Sequence, residues 1–341
     1  MTIISKVSSI ALAFTAAIGL SSTSHAETTF TLSSWLPPSH PIVADMIKPW
    51  ADAVEAETGG NVKIRILPKP LGAPPAHFDL AKDGVADITY GVHGYQPGRF
   101  VLTKAIELPF LGNTAEAMSV AYWRVYEKHL AAADEHKGTK LLGVMSHGPG
   151  SIFNAERQIN SLADLKGLKI RVGGGVVNDA AKAMGVTALL KPASQSYELM
   201  SNGVADGVFF PQESIKSFKL TSLVKHATIV PGGMYNTSFF LVMNPRKFDA
   251  LSAEDQASIL SVSGENFARL AGKAWDVADK AGREAMKADG VNIIDASPEL
   301  VSEIESAVSQ IEADWISEVD AKGLDGAQIM QDLRAEIASM E

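Results

Sequence analysis

The chain of 341 residues contains no cysteine. That absence removes disulfides, thiolate metal sites and cysteine nucleophiles together. It also excludes a lipid-attached start, because that chemistry needs an N-terminal cysteine. Positive charge is in deficit, with 30 Lys and Arg against 39 Asp and Glu and a formal net charge of −9. A mixed, acidic surface argues against nucleic acid and anionic lipid as partners. Beyond the first twenty residues no stretch is long and apolar enough to cross a bilayer. The chain after its leader is therefore expected to be soluble and not membrane-embedded.

The N-terminus has what the rest lacks. Lys6 precedes an apolar run from Val7 to Leu20, and Ser24-His25-Ala26 places small residues at −3 and −1 before Glu27. This pattern predicts a secretory signal peptide over 1–26, with the mature chain starting at Glu27. An exported chain with no anchor is useful where an outer barrier retains it, so the expected compartment is the periplasm. The length suggests two domains, and a hydrophobic fraction of 46% suffices for packed cores.

Strand and helix patterns alternate. Thr29 to Trp35 reads as a strand ending in the stiff Pro37-Pro38-Ser39-His40-Pro41. Ile42 to Thr58 carries Ile42, Met46, Ile47, Trp50 and Val54 on one helical face, and Gly59-Gly60 stops it. Val62 to Leu67 alternates like a strand. The phrases KDGVADITY, around Asp87, and SNGVADGVF, around Asp206, are near copies in form: helix end, Gly turn, Asp, strand. They suggest two similar lobes facing each other across a cleft, although a common helix-to-strand turn would also produce them. From Ser252 the helical pattern runs almost unbroken to Asp289, long enough to bridge two lobes. Val301 to Val319 and Ala327 to Met340 read as further helices. The fold class is α/β, with ligands expected at the carboxyl ends of strands.

Catalytic signals are weak. Gly173-Gly174-Gly175 follows a strand and precedes a helix but lacks the spacing of a dinucleotide or phosphate loop. A tight turn where backbone approaches backbone or ligand explains it better. Ser146 and Ser151 lie near glycines without nucleophile-elbow spacing. The eight histidines form no metal-ligand pair. Asp79, Asp83 and Asp87 recur every fourth residue, which reads as a solvated helix face. Nothing assembles nucleophile, base and stabiliser, and no metal or cofactor is implied.

The segment Ile159-Asn160-Ser161-Leu162-Ala163-Asp164-Leu165-Lys166-Gly167-Leu168-Lys169-Ile170-Arg171-Val172 resembles the signature of the extracytoplasmic binding proteins of TRAP transporters, the dicarboxylate-binding-protein family. Gly84-Val85-Ala86-Asp87, Leu108-Pro109-Phe110-Leu111, Gly203-Val204-Ala205-Asp206-Gly207 and Leu241-Val242-Met243-Asn244 follow in the family's order, so the resemblance spans the mature chain. It implies a two-lobed binding protein with a hinge, a long lobe-spanning helix and ligand in the interlobe cleft. The implied lobes are 27–148 with 237–276, and 149–236 with 277–341. It further implies that the closed form is recognised by integral membrane subunits of a TRAP transporter, and that Arg171 holds the ligand carboxylate in a bidentate salt bridge. A guanidinium suits that task, being always charged and offering two parallel donors.

Departures from the family pattern narrow the ligand. Sialic-acid binders of the family carry a second arginine where this chain has Ser151. Their asparagines are here Phe210, ahead of Pro211, and Trp35. An acidic residue and an arginine of the first-lobe loop are here Val92 and Tyr95. A dicarboxylate or sugar acid would lose polar partners in such a site. The expected pocket has Arg171 at one end and an apolar body from Trp35, Tyr95, Phe209 or Phe210, and Tyr235, with His93, Ser151 and Asn236 as partners for ring hydroxyls. The expected ligand is a small aromatic monocarboxylate such as benzoate or a hydroxybenzoate. A 2-oxo acid, dicarboxylate, sulfonate or zwitterion held by the same arginine remains open, as does, more remotely, a periplasmic hydrolase using Ser146 or Ser151.

Overall fold

A computed structural model describes residues 27–341. The expected signal peptide over 1–26 lies outside the described residues.

Two sheets organise the chain. The first contains β1 (Thr28–Ser33), β2 (Val62–Ile66), β3 (Ile88–Val92), β4 (Lys140–Ser146) and β10 (Ser238–Met243), in the order β2-β1-β3-β10-β4. The second contains β5 (Ser151–Asn154), β6 (Lys169–Val172), β7 (Thr187–Leu190), β8 (Gly207–Phe210), β9 (His226–Ile229) and β11 (Asn292–Asp295), in the order β11-β9-β5-β8-β6-β7. Strand β1 pairs in parallel with β2 and β3, and β6 pairs in parallel with β7 and β8. In each sheet, one strand reached by a crossing runs antiparallel: β10 against β3 and β4, and β5 against β8 and β9. The chain passes between sheets after β4, again after β9 and a third time between β10 and β11, so the fold has two α/β lobes.

The two GVAD phrases occupy equivalent places. Gly84 and Gly203 both take positive φ, at 77° and 67°. Asp87 Oδ2 then accepts from the Thr31 amide and hydroxyl at 2.8 Å, tying β3 to β1. Asp206 Oδ2 accepts from the Lys169 amide at 2.8 Å, tying β8 to β6. The recurrence therefore reflects the same carboxylate-to-strand tie in each lobe.

The long C-terminal helical pattern divides in two, Ala253–Ser261 and Gly264–Ala288. The break falls at Ser263, where Gly264 has φ +56° and the Trp50 indole donates to Ser263 Oγ at 3.2 Å. The second segment spans both lobes. Its Asp276 accepts from the Ala115 and Glu116 amides at the start of helix Ala115–Val125 in the first lobe. One turn on, Asp279 Oδ1 accepts from the Glu213 amide at 2.7 Å, at the start of helix Gln212–Ser217 in the second. Its glycines match: a Cβ on Gly272 would lie 2.5 Å from Glu116 Cα, and one on Gly282 2.2 Å from the Gln212 carbonyl oxygen. The last helix, Gly326–Ala338, packs on Ala115–Val125, so the C-terminal segment braces the first lobe as well as the second. Among the described residues no helix is long and apolar enough to cross a membrane.

Candidate ligand-binding site

Strand ends from both lobes converge on one interlobe cavity. Trp35 follows β1, Tyr95 follows β3, Gly173 follows β6 and Phe210 ends β8, and all four line it. Parallel strands present their carboxyl ends to such a crevice because the connecting loops there are free to shape it.

Among the described residues Arg171 is the only Lys or Arg lining the cavity, and it is 2% exposed. It sits on β6 with its side chain tethered to the second lobe. Nε and Nη2 donate to the Lys191 carbonyl oxygen at 2.9 and 2.7 Å, and Nη2 reaches Tyr95 Oη at 3.4 Å. Its Cζ lies 4.5 Å from the centroid of the Phe210 ring. Among the described residues Nη1 has no hydrogen-bond partner, and Arg171 forms no ion pair with any Asp or Glu. Burial lowers its pKa, with Tyr95 and Tyr235 opposing that shift. A buried cation without a counterion costs several kcal/mol, of order 3–5 when one partner of a pair is missing. The arrangement calls for an anion from outside the chain.

The walls are aromatic. Trp35 meets Tyr95 edge-on at 6.1 Å between centroids. Phe210 stacks on Phe218 at 5.5 Å with planes 7° apart. Tyr235 packs edge-on against His147 at 5.4 Å. Burial raises the Tyr235 hydroxyl's pKa, so it stays a neutral donor. Its Oη has no protein partner among the described residues. Tyr95 closes the wall across the lobes, accepting from the Ala193 amide at 2.8 Å.

Five of the nine residues expected at the site line the cavity: Arg171, Trp35, Tyr95, Phe210 and Tyr235. The other four do not. Phe209 points to the opposite face of β8 from Phe210 and joins the second-lobe core with Ile152 and Ile170, as alternation along a strand requires. His93 is buried behind the first sheet, with Nδ1 3.0 Å from Ser238 Oγ and Nε2 2.8 Å from His136 Nε2. Ser151 Oγ accepts from the Val230 amide at 3.1 Å. Asn236 is buried in the crossing segment, where its amide group, suitably oriented, donates to the Gly148 and Tyr235 carbonyls. These hydroxyl, amide and imidazole groups serve the scaffold. Ser146 is likewise buried, its hydroxyl donating to the His147 carbonyl.

The sequence reading missed His40, Glu213, His147 and Trp275, all of which line the cavity. His40 and Glu213 each follow a cavity-facing strand end by a few residues, which is the signal that marks them. His147 is bonded internally, 2.9 Å from Thr237 Oγ1, and burial lowers its pKa to about 4.

A two-lobed α/β chain with an aromatic interlobe cavity and a buried, unpaired arginine is a solute-binding protein. The chain belongs to the bacterial extracellular solute-binding proteins, family 7, whose model matches residues 32–318. Among solved structures, a TRAP periplasmic solute-binding protein of Bordetella bronchiseptica with bound (R)- and (S)-mandelate is 45% identical, covering 92% of this chain and all of that one, with a TM-score of 0.90. A marine-metagenome TRAP solute-binding protein specific for aromatic acid ligands, in complex with 3-hydroxybenzoate, is 36% identical over 92% of this chain and 99% of that one, with a TM-score of 0.86. The Outer membrane transporter protein TsaT of Comamonas testosteroni is 31% identical, covering 91% of this chain and 92% of its own.

Proposed function

We propose that this chain is the periplasmic receptor of a TRAP uptake system and that its ligand is a small aromatic monocarboxylate. The observation that carries the reading is Arg171: buried, unpaired, held on its far side by the Lys191 carbonyl and floored by Phe210. A ligand carboxylate supplies the missing charge to Nη1 and Nη2 and relieves the desolvation of the guanidinium. Trp35, Tyr95 and Tyr235 then contact a planar body in edge-on or offset geometry. With one cation among the described lining residues, a second carboxylate would enter without a counterion. The aromatic-acid ligands of the two structures above support the same class.

In this reading residues 27–148 with 237–276 and residues 149–236 with 277–341 are the two lobes, and ligand joins them by bonding across the cleft. The closed face is what the membrane subunits recognise. Export through cleavage after Ala26 places the receptor in the periplasm.

A thermal-shift panel of benzoates, mandelate, 2-oxo acids, dicarboxylates and sulfonates tests the ligand class. An aromatic acid at 100 times its Kd adds about 2.7 kcal/mol and raises Tm by roughly 5 °C. A response confined to dicarboxylates or oxo acids would reject the aromatic reading.

A further inference from the structure

Among the described residues, four side chains lining the cavity carry a buried polar atom with no protein partner: Trp35 Nε1, Trp275 Nε1, His40 Nε2 and Glu213 Oε1. A native interior rarely leaves such atoms unpaired, so each marks a place where ligand or water completes the site. The two indoles offer donors only. His40 and Glu213 differ, because together they offer a donor and an acceptor side by side.

The tautomer of His40 follows from its other nitrogen. The Ile42 amide donates to His40 Nδ1 at 3.2 Å, so Nδ1 presents a lone pair and the ring proton resides on Nε2. Burial holds His40 neutral, with its pKa lowered to about 3. His40 Nε2–H faces Glu213 Oε1 at 3.6 Å, beyond hydrogen-bond range. Glu213 is fixed by its own partners: Ser214 Oγ donates to Oε2 at 2.8 Å, and its backbone amide donates to Asp279. The donor and acceptor are therefore held apart by a gap too narrow to admit an atom between them. Both atoms are buried, so an oxygen bonding both at ~2.8 Å enters with a small shift of the two side chains.

The pair lines the same cavity as Arg171. Arg171 sits over Phe210, Phe210 stacks on Phe218, and Phe218 meets the His40 ring, in three steps of 4.5, 5.5 and 5.2 Å. In one pose within this cavity the ligand carboxylate meets Arg171 and a ring substituent meets His40 and Glu213. Of the small ring substituents, a hydroxyl both accepts and donates.

We propose that His40 and Glu213 form a hydroxyl subsite, in which the ring hydroxyl of an aromatic acid accepts from His40 Nε2–H and donates to Glu213 Oε1. This rests on the aromatic-acid reading above and sharpens it: the preferred ligand is a hydroxyaromatic acid rather than the bare benzoate. A ligand lacking the hydroxyl leaves both buried groups unpaired or held by water.

Isothermal titration of benzoate, 3-hydroxybenzoate and 4-hydroxybenzoate at pH 8, where Glu213 is ionised and Oε1 accepts, tests it on the full mature chain, using the wild type, His40→Asn and Glu213→Leu. The His40→Asn side chain retains an acceptor for the Ile42 amide while withdrawing the donor; Glu213→Leu removes the acceptor. The readout is the ratio of benzoate Kd to hydroxybenzoate Kd, in which a general loss of affinity cancels. The expected wild-type ratio for one isomer is about tenfold, the effect of one well-made hydrogen-bonded group. Both substitutions should bring it near one. If Glu213→Leu prevents folding, the His40→Asn ratio decides. A wild-type ratio near one for both isomers means that the pair holds water only and overturns the subsite while leaving the aromatic-acid reading intact. A preference that survives His40→Asn overturns it equally. Failure of every aromatic acid to bind overturns both.

Discussion

Gly94 and Gly174 meet across the cleft so closely that a Cβ on Gly174 would lie 1.7 Å from the Gly94 carbonyl oxygen. Gly94 belongs to the loop after β3 in the first lobe, and Gly174 to the Gly-rich turn after β6 in the second. Neighbouring contacts tighten the same seam. Glu107, on the first lobe, accepts from the Val176 amide at 3.0 Å, and a Cβ on Gly175 would strike its carboxylate at 2.1 Å. The glycine run is there for backbone approach between lobes. Gly174→Ala is therefore expected to block full closure without unfolding either lobe. Ligand affinity should fall about 100-fold or more, and small-angle scattering should show no compaction on adding ligand. Wild-type affinity in this variant would show that the seam does not form in solution.

Arg171 should tolerate no replacement. Arg171→Ala removes the cation and leaves a ligand carboxylate in an apolar cavity, at a cost of about 3 kcal/mol or more, over 100-fold in Kd. Arg171→Lys keeps the charge but cannot hold the Lys191 carbonyl and a carboxylate with one planar fork. It should weaken binding by at least tenfold. Calorimetry gives both values, and circular dichroism checks that the fold persists. Affinity within threefold of wild type in Arg171→Lys would reject the bidentate geometry.

Tyr95 reaches from the first lobe to two groups of the second, the Ala193 amide and Arg171. Tyr95→Phe keeps the edge-on contact with Trp35 and deletes both bonds. The expected loss is about 1–1.5 kcal/mol, roughly 5- to 13-fold. It should appear mainly as faster ligand release, since both bonds cross the cleft. Stopped-flow displacement separates the rates, and an unchanged off-rate would contradict this role.

Much of this was readable in the residues, and the unread part has a physical cause. The two GVAD turns foretold two like lobes because each needs a glycine at positive φ and a carboxylate beside a strand start. Arg171 stood out through its surrounding motif. The face of Phe209 against Phe210 was not readable, since register decides it and one residue reverses it. His93, Ser151 and Asn236 look like ligand partners in sequence because polar residues near glycines suggest a site. Their partners, Ser238, Val230 and Gly148, lie on segments far away in the chain. His40 and Glu213 were missed for the complementary reason: they are 173 positions apart and become a pair only when the lobes meet.

That pair should also leave a signature in stability against pH. Burial raises Glu213 from 4.5 to about 7 and lowers His40 from 6.5 to about 3. Between pH 4.5 and 6.5 the folded chain holds a proton on Glu213 that the unfolded chain has lost, so this group favours folding at low pH and ceases to do so as pH rises through about 7. His40 acts oppositely. The unfolded ring is protonated in this window and the folded one is not, so its contribution is present above pH 6.5 and lost as pH falls toward 3. Each slope approaches about 1.4 kcal/mol per pH unit, and in the wild type they largely cancel. Removing either partner uncovers the other. Relative to wild type, Glu213→Gln should lose stability progressively on acidification from pH 6.5 to 4.5, while His40→Asn should gain it. The remaining buried histidines titrate in all three proteins, whereas the Glu213 charge helps to raise the Asp279 pKa, so Glu213→Gln changes that group as well and His40→Asn gives the cleaner difference. Urea denaturation at pH 4.5, 5.5 and 6.5 measures the two trends, and parallel curves for both variants would show that neither group is buried in the charge state assigned here.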